Sequence, residues 1–201
     1  MENCNLFTII SNYKINKMRI IAGKARGTKL YTLDGLETRP TLDRVKESVF
    51  NIIQNDLDDC IFLDLFSGSG AIGLEAASRN AKKVILCECS RKAISIIKKN
   101  IEKTHLEKQV EIYECDYKEC ILNNIKEKLD IIYIDPPYKT DYAIKALQLL
   151  IKKELLKETT KIIIETDREE EIEKQIDELK DIQITDIRKY GRASILFLEK
   201  S

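Results

Sequence analysis

The run Ile131-Ile132-Tyr133-Ile134-Asp135-Pro136-Pro137-Tyr138 ends an apolar stretch with a carboxylate, two prolines and an aromatic ring. Consecutive prolines hold a rigid turn and remove two backbone donors, which leaves carbonyl groups beside Asp135 to accept hydrogen bonds. Such a turn suits an exocyclic amine conjugated with a base, a poor nucleophile because its lone pair is delocalised. Hydrogen bonds accepted by Asp135 and the Pro136 carbonyl would raise electron density on that nitrogen and favour a pyramidal transition state. Tyr138 would stack on the flipped base. Asp135, Pro136, Pro137 and Tyr138 are therefore the candidate catalytic residues, and the chemistry they imply is methyl transfer to nitrogen. That reaction needs mainly proximity and an in-line approach when a sulfonium cofactor brings the methyl group already activated, so it requires neither a metal nor a covalent nucleophile.

A second segment supplies a cofactor site. In Asp64-Leu65-Phe66-Ser67-Gly68-Ser69-Gly70-Ala71-Ile72-Gly73, the residues Gly68, Gly70 and Gly73 satisfy G-x-G-x-x-G between an apolar run and an amphipathic one. Glu88 lies twenty residues past Gly68, where a carboxylate can accept from ribose hydroxyls. To this point a nicotinamide dinucleotide and S-adenosylmethionine fit equally. Asp64 tilts the choice, because a carboxylate beside the glycines can meet the cationic amino end of S-adenosylmethionine and would repel a pyrophosphate. Asp116 follows the next apolar run and could accept from an adenine amino group; its alternative is an ordinary helix N-cap before Tyr117. Phe66, inside the glycine segment, joins the same set, and S-adenosylmethionine is the expected cofactor.

Composition narrows the class. At 201 residues with 43% hydrophobic content, the chain suits one ordinary domain with a small appendage. Lys+Arg 34 against Asp+Glu 34 gives formal neutrality, so a polyanionic partner must meet a local basic patch. Lys14, Lys17, Arg19, Lys24, Arg26 and Lys29 form such a patch without an intervening acid, whereas Glu169-Glu170-Glu171 marks an acidic C-terminal stretch. Six cysteines occur with no CxxC pair, and a single histidine, His105, cannot complete a Cys/His site of the usual spacing, so no metal is expected. Cys60, Cys87, Cys89 and Cys115 lie in or beside apolar runs and read as reduced core residues, which suits a cytoplasmic protein. No apolar run approaches the roughly 18 residues that span a bilayer, and the N-terminus lacks a signal pattern, so membrane insertion and secretion are disfavoured.

The elements that must position these residues alternate along the chain. Ile61–Phe66, Val84–Cys87, Val110–Tyr113, Ile131–Ile134 and Ile162–Ile164 read as strands, with helices near Ala71–Arg79, Arg91–Glu102, Lys118–Lys126, Tyr142–Lys152 and Arg168–Leu179. Continuous apolar strands between helices mean an α/β fold with a mostly parallel sheet covered on both faces. Ile182–Ile187 and Ser194–Leu198 are joined by too few residues for a crossover helix, so an antiparallel hairpin should close the sheet. Upstream, Arg19–Gly23 and Thr28–Tyr31 read as a basic hairpin with its tip at the glycine, and Thr41 can cap a helix running to Asn55. Residues 1–17 read as disordered or as a mis-assigned start, residues 18–55 as a hairpin-and-helix extension, and residues 56–201 as the main domain.

With these residues in hand, the chain resembles the bacterial 16S ribosomal RNA guanine-N2 methyltransferases of the RsmD type. The likeness runs almost from Met18 to the C-terminus and includes Met18 to Gly23 with Arg26-Gly27, Arg39-Pro40-Thr41, Asp43 to Glu47, Phe50-Asn51, the glycine segment, Asp135 to Tyr138 and Tyr190-Gly191. The Asp-Pro-Pro-Tyr turn alone is shared with DNA adenine-N6 and cytosine-N4 methyltransferases, so the N-terminal motifs carry the distinction. The resemblance implies a Rossmann-like class I methyltransferase fold with a seven-stranded sheet, acting as a monomer on a guanine of 16S rRNA within an assembled 30S precursor. It further implies Arg39, Thr41, Arg44 and Lys46 as RNA- or cofactor-side residues and Phe50 as a wall near the methionine end of the cofactor; Arg19, Lys24 and Arg26 of the basic hairpin complete the expected RNA-binding set. Three readings compete: DNA amine methylation, for which 201 residues leave no room for a separate recognition domain; an NAD(H) oxidoreductase, which explains the glycines and Glu88 but lacks a hydride-transfer acid or base by the turn; and a non-catalytic RNA-binding module.

Overall fold

In the computed structural model, residues 15–32, 40–137 and 140–201 are described, with backbone alone for 15–17 and 40–43. The polar leader expected over residues 1–17 thus falls outside them up to residue 14. The chain order is β1 (Ile15–Arg19), β2 (Lys29–Tyr31), α1 (Pro40–Ile52), β3 (Ile61–Asp64), α2 (Ala71–Ser78), β4 (Lys83–Cys87), α3 (Arg91–Thr104) and β5 (Val110–Tyr113). There follow α4 (Tyr117–Glu119), β6 (Leu129–Ile134), α5 (Tyr142–Lys152), β7 (Leu156–Thr166), α6 (Glu169–Asp177), β8 (Ile182–Tyr190) and β9 (Ala193–Lys200).

Seven strands form one sheet in the order β5-β4-β3-β6-β7-β9-β8. β5, β4, β3, β6 and β7 run parallel, while β9 is antiparallel to β7 and β8 to β9. This is the Rossmann-like class I methyltransferase architecture. The chain leaves β3 toward β4 on one side and returns to β6 on the other, so the order reverses between β3 and β6. Their carboxyl ends frame the crevice where open α/β sheets bind ligands.

The central strands are aliphatic because both faces are covered. Ile131 and Tyr133 of β6 enter a core with α1 and α2, and Ile132 and Ile134 enter a second core with α5 and α6. Successive side chains on a strand point to opposite faces, so one apolar run serves both cores. α3 begins where the Ser90 hydroxyl accepts from the Ala93 amide and ends at His105, whose φ of 55° reverses the chain.

Three expected elements differ. Only Tyr117–Glu119 of the helix expected over Lys118–Lys126 is α-helical, and Cys120–Asn124 widens into a π turn that buries Cys120 and Ile121. The helix expected after a Thr41 cap starts at Pro40, which suits a first helical position because proline has no amide hydrogen to leave unpaired. The basic hairpin does not project freely. Its strands end at Arg19 and resume at Lys29, and the connection lies on the end of α2: the Lys24 amide donates to the Ser78 carbonyl at 2.8 Å and the Ala25 amide to the Ser78 hydroxyl at 2.9 Å. Gly23, at φ 81°, sits so close that a Cβ there would stand 1.8 Å from the Ser78 carbonyl oxygen. Ile20 and Leu30 are fully buried in the same core as α1 and α2.

Candidate active site

The glycine segment turns the chain from β3 into α2. Gly68 (φ 54°) and Gly70 (φ 78°) both adopt the left-handed region, which a side chain would strain. Gly73 is needed for close packing instead. A Cβ there would lie 2.2 Å from Leu86 Cδ2, so its absence lets α2 seat against β4. The Ser67 hydroxyl donates to the Asp64 carbonyl at 2.7 Å, and the Ser67 amide to the Cys87 carbonyl at 3.0 Å. Asn100, fully buried, donates to the Ser69 and Tyr31 carbonyls at 2.9 and 3.0 Å, which ties the turn to the N-terminal extension.

Each carboxylate expected to hold the cofactor also holds backbone. Asp64, 1% exposed, accepts from the Gly73 amide at 3.1 Å, in the first turn of α2. Burial pushes its carboxyl up to about 7, with Glu88 adding to the rise and the Gly73 amide opposing it. Glu88 accepts from the Gly68 amide through one oxygen at 2.9 Å and from the Ser90 amide through the other at 2.7 Å. Asp116 caps α4, with Oδ1 accepting from the Lys118 and Glu119 amides, so the N-cap alternative is what this structure contains. Oδ2 remains as an acceptor toward the cleft that Asp116 lines.

That cleft, of about 240 Å³, opens beside the glycine turn between the ends of β3, β4 and β5. Phe66, Tyr117 and Tyr142 wall it, with ring centroids 5.1 to 6.4 Å apart, and Pro137 closes one side. Tyr117 is buried with its hydroxyl unpartnered, a buried polar atom that most folds would satisfy. Neither tyrosine stands out in the sequence, because an aromatic residue starting a helix is most often core. A larger, shallow and mainly charged hollow of about 720 Å³ lies between α6 and the β8–β9 turn, away from the glycine turn.

On the far side of β3, carboxyl groups gather at the sheet edge. Asp135 follows β6 directly, one residue beyond Ile134, and Glu165 stands one residue beyond Ile164, which lies opposite Ile134 on β7. Asp135 as a residue is exposed, yet its carboxyl is held well above the usual carboxylate range, first by desolvation and then by the Glu165 and Asp64 charges. The Thr140 hydroxyl donates to the Pro137 carbonyl at 2.8 Å, and Arg168 donates to the Thr140 carbonyl, so the residue leading into α6 steadies the loop after the prolines.

The remaining expected residues divide. Tyr138 and Arg39 lie outside the described residues, as does the Thr41 side chain. Arg19, Lys24, Arg26 and Arg44 are exposed. Lys46 is not placed for RNA: it is 3% exposed, 3.4 Å from Glu75, and donates to the Arg19 carbonyl at 2.6 Å. Its neighbours Arg44 and Glu47 stay exposed, and Lys46 is buried where the backbone after β1 covers that part of α1. Phe50 is likewise not in the cleft but fully buried, with Phe62 at 6.3 Å and the Arg79 guanidinium 5.1 Å from its ring. Among the cysteines expected in the core, Cys60 and Cys87 are buried, Cys115 is half-buried and Cys89 is exposed. The spacing argument against metal missed that Cys87, Cys115 and Cys120 bring their sulfurs within 4.8 Å of one another. The Cys120 neighbour and then burial raise Cys87, and burial pushes Cys115 up to about 11; Cys87 and Cys115 line the cleft. Among the described residues, no helix is long and apolar enough to cross a membrane.

Comparison with known proteins agrees with this geometry. YlbH, a proposed rRNA methyltransferase of Bacillus subtilis, is 36% identical over 91% of this chain and 99% of its own length. Ribosomal RNA small subunit methyltransferase D of Haemophilus influenzae is 35% identical over 76% of this chain and 80% of its own. The solved structure of yhhF, a proposed methyltransferase of Escherichia coli, superposes with a TM-score of 0.76 at 24% identity, covering 92% of this chain and 98% of that one, which speaks for the fold. The family model described as conserved hypothetical protein 95 matches residues 18–199, and the chain belongs to that family, the RsmD type of methyltransferases.

Proposed function

We propose that this protein transfers a methyl group from S-adenosylmethionine to the exocyclic N2 of a guanine in 16S rRNA of the small ribosomal subunit. The observation that carries the reading is the placement of Asp135-Pro136-Pro137 at the point where strand order reverses, with Pro137 on the wall of the aromatic cleft that adjoins the glycine turn. The cleft fits the cofactor chemically: flat apolar walls suit a purine, Glu88 stands where ribose hydroxyls would donate, and Asp116 can accept from an adenine amino group. Bound there, the cofactor supplies an activated methyl group. Asp135 and the Pro136 carbonyl then orient the amine and accept its hydrogen bonds, which gain strength as positive charge grows on nitrogen.

The RNA assignment rests on the family. The relatives' names speak of ribosomal RNA, and the exposed Arg19, Lys24, Arg26 and Arg44 supply cations for phosphates without supplying a base-reading code. The test is tritium transfer from labelled S-adenosylmethionine to small ribosomal subunits from a strain lacking its own RsmD-type enzyme, to the naked 16S rRNA, and to duplex DNA. Label in the subunits, mapped by mass spectrometry to N2 of guanine, is the expected result. Label in DNA alone overturns the substrate; label in none overturns the activity.

A further inference from the structure

Glu165 closes β7 at the same sheet edge as Asp135, is 8% exposed, and accepts a 2.6 Å hydrogen bond from the hydroxyl of Tyr133, itself 2% exposed. It is not in the glycine site and caps no helix. Register places it one strand over from Asp135, and Asp64 lies on the other flank, opposite Tyr133 on β3. Residues 64, 133, 135 and 165 share one face of the sheet, so three carboxyl groups and one phenol converge there. Glu165 also lines the small cleft behind the Pro136-Pro137 turn with Thr140 and Arg168.

We propose that Glu165 is a positioning residue for methyl transfer: held as a carboxylate by Tyr133, it stands at the end of the strand next to Asp135, and its negative charge makes Asp135 a stronger proton acceptor for the amine than a lone aspartate. The proposal rests on the amine-methylating reading of the Asp135 turn. A like charge on the neighbouring strand end disfavours ionisation of Asp135, so its carboxyl takes up a proton more readily than an isolated one. Tyr133 is kept protonated by burial and then by Glu165, which makes it a lasting donor to the glutamate. Burial raises Glu165 and the Tyr133 hydroxyl opposes that rise. As the nitrogen–carbon bond forms and the carbon–sulfur bond breaks, nitrogen becomes positive, and its surplus proton passes to Asp135 and from there to water.

Among the described residues, the titratable and charged groups around Glu165 are Asp64 on β3, Tyr133 and Asp135 on β6, and Asp167 and Arg168 after β7. Glu169 lies just beyond, bonded to Ser194 and paired with Lys189, and β9 opposes Glu165 with the apolar Ile195. Arg168 is committed to Glu171 and the Thr140 carbonyl, so it does not neutralise the pair.

The experiment measures single-turnover tritium transfer to the deficient small subunits from pH 5 to 9. In Glu165→Gln, the acid limb of the rate should move down by roughly one pH unit and the plateau should fall several-fold as a weaker base takes over, with affinity for S-adenosylmethionine within about twofold of wild type. Glu165→Asp should restore the limb. Tyr133→Phe, which leaves the carboxylate in place but makes it easier to protonate, should shift the limb the same way by less, and it serves if Glu165→Gln fails to fold. An acid limb unmoved in Glu165→Gln, or in Tyr133→Phe where that variant stands in, overturns the inference. Asp135→Asn separates the two failures: if it abolishes turnover while the Glu165 limb stays put, only this inference falls, and if it leaves turnover intact, the reading of the turn falls with it.

Discussion

Two sites bury carboxylates in this protein and treat them in opposite ways. Glu75, fully buried on α2, accepts from the Ile21 and Ala22 amides at 2.7 and 3.0 Å, pairs with Arg79 at 2.8 Å, and lies 3.4 Å from Lys46. Two cations and two amides compensate one negative charge. At the carboxyl ends of β3, β6 and β7, the charges of Glu165 and Asp64 act on Asp135 and that of Glu88 on Asp64, and among the described residues an amide and a phenol are the close donors. A buried charge with its partners in place organises structure, whereas one left among like charges has its proton affinity displaced toward the range of catalysis. The contrast separates the part of the molecule that holds the N-terminal extension from the part we propose does chemistry.

The largest effects should follow from removing each centre. Asp135→Ala should lower turnover by roughly 10²–10⁴ with S-adenosylmethionine affinity largely kept, measured as tritium transfer beside calorimetric titration. Glu75→Ala leaves Lys46 and Arg79 without their buried partner and should cost about 3–5 kcal/mol in urea unfolding. Should Glu75→Ala lower turnover while stability is unchanged, the division between the sites would be wrong.

Gly23→Ala sharpens the structural side. The added Cβ would strike the Ser78 carbonyl at 1.8 Å, and the φ of 81° disfavours any side chain. Hairpin and helix cannot both keep their places, so a loss of about 1–3 kcal/mol is expected, read from the unfolding midpoint. RNA affinity should fall with it, because Lys24 and Arg26 ride on this connection. Reversing those two exposed cations to glutamate should leave stability nearly untouched but weaken subunit binding and flatten its salt dependence, the slope falling by about one for each phosphate no longer neutralised. An unchanged salt slope would remove the hairpin from the RNA surface.

What the sequence disclosed follows the same division. Short aliphatic runs between amphipathic ones reveal the parallel sheet because both faces of each strand are buried, and three spaced glycines reveal the turn from β3 into α2 because backbone conformation demands Gly68 and Gly70 and close packing demands Gly73. Asp135 was legible since two prolines follow it. Lys46 was not, because a cation at an exposed helical spacing is buried only by a segment distant in sequence, as its bond to the Arg19 carbonyl shows. Phe50 looked like a cofactor wall through resemblance, and its stacking on Phe62 emerges only from packing. Tyr117, Tyr142, Asn100 and Glu165 were silent for one reason: each gains its partners from strands and helices far along the chain.

The pH dependence of stability has a sign that distinguishes the two kinds of carboxylate. Asp64 is raised in the folded protein from 3.8 to about 7, so the folded state binds its proton more tightly than the unfolded chain does. The stability this contributes is whole below about pH 4 and is lost as pH rises through 7, at no more than about 1.4 kcal/mol per pH unit. Asp135 and Glu165, raised as well, act in the same sense. Ion-paired carboxylates such as the exposed Glu158 and the half-buried Glu169 are lowered and act oppositely; water screens Glu158, so its share is slight. The urea midpoint should therefore fall between pH 5 and 7.5, a range in which carboxylates stabilised by cations would hold it level. Asp64→Asn should flatten that fall without lowering stability at pH 7.5, because the amide needs no proton. A midpoint that climbs with pH in the wild type would mean that the edge carboxyls are compensated after all, as Glu75 is.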